Sequence, residues 1–214
     1  MDTFLPVCMD FGFFLHKERF RQSALLQLPF GHKLRPSPAL LATFYLWGAH
    51  LATSSDLHHH QNAFLRRALS LVVKEITTTP GSQLMHTIQA EVLLSYFFFR
   101  NNRFLEAEYH MNGAVSMSLA CGLHKIRSSR SLAPFVLGVS ENSEVYLDMP
   151  RENMEEGERI NGFWTVFCLH RVFTVAMGKP LNAFGTMEAP YTEIDTPWPM
   201  DMNKYEDVCF SRLY

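Results

Sequence analysis

ENMEEGERINGFWTVFCLHRVFTVAMG, residues 152–178, is the stretch on which the fold turns. Asn161-Gly162 at its middle is a strong two-residue hairpin signal, and obeying it would split the segment into two strands. Against that stands the spacing of Trp164, Phe167, Cys168, Arg171, Val172 and Val175, which recur at three and four residues, the period of a helix. The acidic run Glu152, Glu155 and Glu156 suits a helix N-terminus, where the backbone presents positive partial charge. The side opposite the stripe (Phe163, Val166, His170, Phe173, Met177) is also largely apolar. A helix that is apolar all round belongs in an interior. The spacing therefore predicts one buried central helix reaching Gly178, with the Trp164–Arg171 stripe inward.

Working outward, Arg103–Cys121 reads as the clearest helix, with Ala107, Met111, Ala114, Val115, Ser118 and Leu119 inward and small enough to admit a close neighbour. Gly122-Leu123 after it reads as a left-handed cap with an apolar clasp. A helix from near Ser82 to Asn101-Asn102 carries Leu84, Ile88, Val92, Ser95 and Phe99 on a stripe. Joined by a few residues, these two should form an antiparallel pair. Further upstream, Leu57–Ile76 is helical, with Thr77-Thr78-Thr79-Pro80-Gly81 as its breaker. Pro38 opens another helix through Leu40, Leu41, Phe44, Trp47, Gly48 and Leu51. Residues 1–37 form an irregular lead-in packed on the domain, with a short helix over Lys17–Leu28. Residues 126–153 read as a long connection, Ser-rich and then acidic. Beyond Gly178-Lys179-Pro180 there is no clear period, and Pro190, Pro197 and Pro199 limit regular structure. No strong period-2 stretch occurs. The expected fold is all-α: an irregular multi-helix domain over 38–200 with a buried central helix and a long acidic loop, followed by a tail over 201–214 that reads as cut short.

Composition sets the outer bounds. Among 214 residues 47% are hydrophobic, 13% aromatic and 19% charged, enough apolar matter for a sizeable core and the opposite of a disordered composition. The most apolar stretch, Phe163–Met177, is too short for a membrane span and is interrupted by His170 and Arg171. Net charge is −2, without the basic excess of a nucleic-acid binder. The halves differ: residues 1–130 carry 13 Lys/Arg against 8 Asp/Glu, and residues 131–214 carry 6 against 13. The nearest thing to a basic cluster is Lys125, Arg127 and Arg130. Four scattered cysteines (Cys8, Cys121, Cys168, Cys209) form no C-x-x-C pair, so they read as reduced thiols rather than a zinc or disulfide framework.

Catalytic patterns are sparse. His58-His59-His60 point about 100° apart on a helix and cannot converge on one ion. Ser140 lacks the second glycine of a nucleophile elbow, and there is no phosphate-cradling glycine loop. The chain reads as no enzyme, with no cofactor and no metal site. Arg171 is more informative, because a charge on the stripe of a buried helix needs a carboxylate partner. Glu91, which interrupts the apolar centre of its helix, and Asp195 are the candidates. The same stripe offers the alternative of an effector pocket lined by Trp164, Phe167 and Arg171.

Several ordered segments resemble a known family. Leu93-Leu94-Ser95-Tyr96, Ala114-Val115-Ser116-Met117 and Cys121-Gly122-Leu123-His124 come first. Arg159-Ile160 through Phe163-Trp164, Leu169-His170-Arg171, Gly178-Lys179-Pro180 and Ile194-Asp195-Thr196-Pro197-Trp198-Pro199 follow. Together with Phe11-Gly12-Phe13-Phe14-Leu15-His16, they resemble the fungal-specific transcription factor domain, the helical region of fungal zinc-cluster transcription factors. The resemblance implies an all-α regulatory domain in the nucleus that modulates activity through other proteins of the transcription machinery, self-association or a small effector. It also implies that DNA binding and zinc belong to a six-cysteine module. Four scattered cysteines cannot supply that module, so the family's zinc cluster is expected to be absent here. His170 stands where the family has an acid, and Lys179 where it has Arg, which loses bidentate geometry. The readings from other classes are a helical enzyme whose groups converge only in three dimensions, and a helical interaction scaffold with no direct DNA role.

Overall fold

A computed structural model describes residues 1–53, 55–78, 83–128, 147, 149–179 and 194–207. The fold is all-α, and no strand occurs among the described residues. Most of the expected acidic loop, residues 180–193, Ser140 and Cys209 lie outside those residues. The chain divides into two compact units, Met1–Ala114 and Val115–Tyr214.

The first unit contains α1 (Lys17–Ala24), α2 (Pro38–His50), α3 (Ser55–His59), α4 (Gln61–Thr78), α5 (Leu84–Arg100) and the first part of α6 (Phe104–Ala120). The single helix expected over Leu57–Ile76 is two, because the turn at His60 interrupts it. Helix α2 is buried on nearly every side and packs against both α4 and α5. Its start is capped twice. Ser37 Oγ accepts from the Leu40 N–H at 3.3 Å, and Glu75 Oε1, reaching over from α4, accepts from the Ala39 N–H at 2.7 Å. Thr87 Oγ1 donates to the other oxygen of Glu75 at 3.3 Å.

Burial raises the Glu75 carboxyl above its ordinary value, and the hydrogen bonds from Ala39, Ser37 and Thr87 oppose that shift only in part. A group whose folded value lies above its unfolded value gives stability that is complete below the unfolded value and lost as pH rises through the folded one. Stability should therefore fall with pH just above the ordinary carboxylate range. Glu75→Gln, which keeps an acceptor for Ala39, should flatten that fall in denaturant titrations run at successive pH values. An unchanged slope would contradict this role.

The backbone of the lead-in is tied to α5 by Gln89. Gln89 of α5 accepts from the Phe14 N–H at 2.7 Å and donates to the Gly12 carbonyl at 3.0 Å. This places Phe4, Phe13 and Phe14 in the core beside Phe44 and Trp47, all nearly or fully buried. Helices α5 and α6 run antiparallel: Ser95 Oγ donates to the Ala107 carbonyl at 2.8 Å, and Gly113 leaves room for the Glu91 carboxylate.

The second unit contains the end of α6, a 3-10 turn at Leu123–Lys125, α7 (Asn153–Ala176) and α8 (Lys204–Asp207). Gly122 takes the left-handed conformation (φ 69°) that ends α6, as Gly-Leu implied. Helix α7 is continuous through Asn161-Gly162. The period expectation won over the hairpin signal, although the inward stripe did not. The buried side of α7 carries Arg159, Phe163, Val166, Leu169, His170 and Phe173, while Cys168, Val172 and Val175 are exposed. Both sides are apolar enough to be inward, so period alone could not choose between them. No helix among the described residues is long and apolar enough to cross a membrane.

Candidate functional site

In the second unit, two stretches of chain converge on the first half of α7. Residues 123–128 and 194–205 are stitched together by hydrogen bonds. Thr196 Oγ1 donates to the Leu123 carbonyl at 2.6 Å and accepts from the Ile126 N–H at 3.1 Å, while the Asp195 N–H donates to the His124 carbonyl at 2.7 Å. Asp195 acts here through its backbone, and the residue is exposed. From there the chain crosses α7 as a strap. Trp164 Nε1 donates to the Pro197 carbonyl at 2.6 Å, and Trp198 stacks on Trp164 with ring centroids 4.5 Å apart and planes 14° from parallel.

The end of the strap fits into α7 through Gly157. Tyr205, 2% exposed, lies where a side chain at 157 would stand, and packs with Met154 and Ile160. Its hydroxyl accepts from the Met200 N–H at 3.1 Å and donates to Asn161 Oδ1 at 3.3 Å; Asn161 Nδ2 in turn donates to the Met200 carbonyl at 3.1 Å. Asn161 is thus an anchor for the strap. Sequence reading saw it only as a turn signal and missed Gly157 and Tyr205, whose pairing spans 48 positions and leaves no local pattern.

The acidic start of α7 is also engaged. Arg127 donates to Glu156 through Nε at 2.6 Å and a terminal nitrogen at 2.8 Å, and Arg159 donates to Glu155 at 2.6 Å. Glu156 raises the Arg127 guanidinium further above its usual value. Arg127 itself adopts φ 64°, a left-handed conformation uncommon for a non-glycine residue.

Three of the expected site residues come together on the outward side of α7. Trp164 and Phe167 meet edge to face at 5.6 Å, and the Arg171 guanidinium lies 5.2 Å from the Phe167 ring centre. All three are half-buried, and around them Val172, Val175 and Trp198 are 59%, 68% and 77% exposed. The ladder is therefore a surface feature, and Arg171 is not the deeply buried charge that an inward stripe would have made it. Cation–π contact explains how this arginine sits on an aromatic helix face. Glu91 lies in the first unit, where His110 Nδ1 of α6 engages its carboxylate; the two are 3% and 7% exposed, and His110 stacks on Phe98.

A match to the model of the fungal specific transcription factor domain spans residues 4–209. The chain belongs to that family, which is a transcription-regulator domain rather than a known enzyme family. No curated protein and no solved structure matches it.

Proposed function

We propose that this chain is a regulatory module of a fungal transcription regulator that works in the nucleus by binding other proteins through the outward side of α7, without touching DNA itself. The observation that carries this reading is the exposure of Val172, Val175 and Trp198 around the Trp164–Phe167–Arg171 ladder. Aromatic residues and arginine are the types enriched where proteins bury surface against one another. Fixing the ladder with the strap presents it with little ordering cost on binding.

Charge and thiol chemistry support the separation from DNA and zinc. The half of the chain that holds α7 is acidic, net −7 over residues 131–214, which repels a phosphate backbone. Four cysteines, scattered at 8, 121, 168 and 209, are too few and too far apart in sequence to supply a six-thiolate cluster, and burial raises the Cys8 and Cys121 thiols to about 11. The family's zinc cluster does not fit these residues. A mobility-shift titration with the purified chain and a pool of random duplexes should give no sequence-specific complex at physiological salt. A discrete shift that survives competitor DNA would overturn the reading.

A further inference from the structure

We infer that Ser128 is a phosphorylation site for a protein kinase with an acidic substrate cleft, and that its phosphate undoes the clasp between Arg127 and Glu156. Ser128 follows Lys125-Ile126-Arg127, with cations three residues and one residue before the hydroxyl. Arg127 is exposed, its side chain 58% so, and Ser128 beside it is half-buried. In the reaction Ser128 Oγ attacks the γ-phosphorus of ATP. The Oγ–P bond forms, the bond to the β-phosphate oxygen breaks, ADP leaves, and the hydroxyl proton passes to the kinase's catalytic carboxylate.

The product carries close to two negative charges one residue from Arg127. It competes with Glu156, the carboxylate that Arg127 holds, for that guanidinium as a stronger acceptor. Glu156 has a side chain only 10% exposed, so losing Arg127 leaves a largely buried carboxylate without its counter-charge. The Tyr205 ring lies against Gly157, the residue that follows Glu156. Relief of the buried charge therefore loosens the first turn of α7 and frees the strap that ends at Tyr205. The left-handed backbone at Arg127 favours release, because it holds a conformation unfavourable for its residue type. This site stands whether or not the outward side of α7 is a docking surface.

The test uses the whole 214-residue chain, incubated with ATP, magnesium and the catalytic subunit of a basophilic kinase. Phosphate is located by mass spectrometry, and chymotryptic cleavage after Tyr205 is timed under native conditions. Incorporation at Ser128 should speed that cleavage about tenfold, the scale of losing one charge-assisted contact in a local opening. Arg127→Gln should give the same acceleration without kinase, and Ser128→Ala should stay protected after kinase treatment. If Ser128 takes no phosphate while a control peptide of the same residues does, the accessibility of the site is refuted. If phosphorylated chain is cleaved at the unmodified rate, the switch is refuted. Helix circular dichroism at each step separates strap release from global unfolding, and a collapse of the helix signal on phosphorylation would also refute the local switch.

Discussion

Trp47→Ala should lower the unfolding free energy by about 3–5 kcal/mol, the cost of deleting a large aromatic side chain from a closed core. Trp47 is fully buried on α2. Its ring stacks on Phe4 (5.2 Å, 9°), lies 4.2 Å from Phe11, and meets Phe97 edge to face at 5.9 Å. Its indole N–H donates to the Leu93 carbonyl at 3.0 Å. The substitution thus removes the contact surface shared by the lead-in, α2 and α5, and adds a lost hydrogen bond of about 1 kcal/mol. Against a total of roughly 5–15 kcal/mol for a typical domain, this is about a fifth of the stability or more. Trp47→Phe should cost less than half as much, since it keeps the ring contacts and loses only size and the donor. Urea titration followed by helix circular dichroism reads both variants. A loss under about 1 kcal/mol for the alanine variant would show that the aromatic cluster is not the keystone of this unit.

Gly157→Ala should detach the strap. In an ordinary helix interior, Gly→Ala stabilises by about 1 kcal/mol. Here the added Cβ would stand 2.5 Å from Cδ2 and Cγ of Tyr205, the near side of the ring rather than a flexible tip. Tyr205 must move, and its burial against Met154 and Ile160 and its bonds to Met200 and Asn161 go with it. Losing a buried aromatic costs about 3–5 kcal/mol, so the clash outweighs the gain in helix propensity. The two substitutions Gly157→Ala and Tyr205→Ala should be strongly non-additive, because each removes the same contact. In the Tyr205→Ala background the alanine at 157 should turn neutral or stabilising. Additive losses in a double-mutant cycle would disprove the socket.

These two residues also mark where the sequence was legible and where it was not. Helices α2, α5 and α6 follow from period, from Pro38, and from Gly122. Those are local signals, and they survive because local and tertiary preferences agree. The existence of α7 was legible for the same reason, while its buried side was not, since Phe163 and Phe173 compete on equal terms with Trp164 and Val175. Glu91 was visible as an oddity in an apolar helix. Its engagement by His110 depends on the register of α5 against α6, which period does not report. Glu75 reaches Ala39 36 positions away, Gln89 reaches Phe14 and Gly12 75 and 77 away, and Tyr205 reaches Asn161 44 away, and nothing within a helical turn of each announces that partner. At the candidate site, Trp164, Phe167 and Arg171 lie side by side on one helix face, which their spacing made legible. Their setting, a half-buried ladder clamped by Pro197 and Trp198, needed the strap to be placed first.

The central claim is that the outward side of α7 carries regulation. Tethering the chain to a heterologous DNA-binding module and measuring reporter output in a fungal nucleus tests it most directly. Val172 and Val175 are exposed, so Val172→Glu with Val175→Glu should leave stability within about 0.5 kcal/mol per site. The wild-type fusion should change output relative to the DNA-binding module alone, and the double substitution should return it to that baseline at equal protein abundance and equal Tm. A folded wild-type fusion that leaves output unchanged, or a double variant that acts like wild type, would contradict the account.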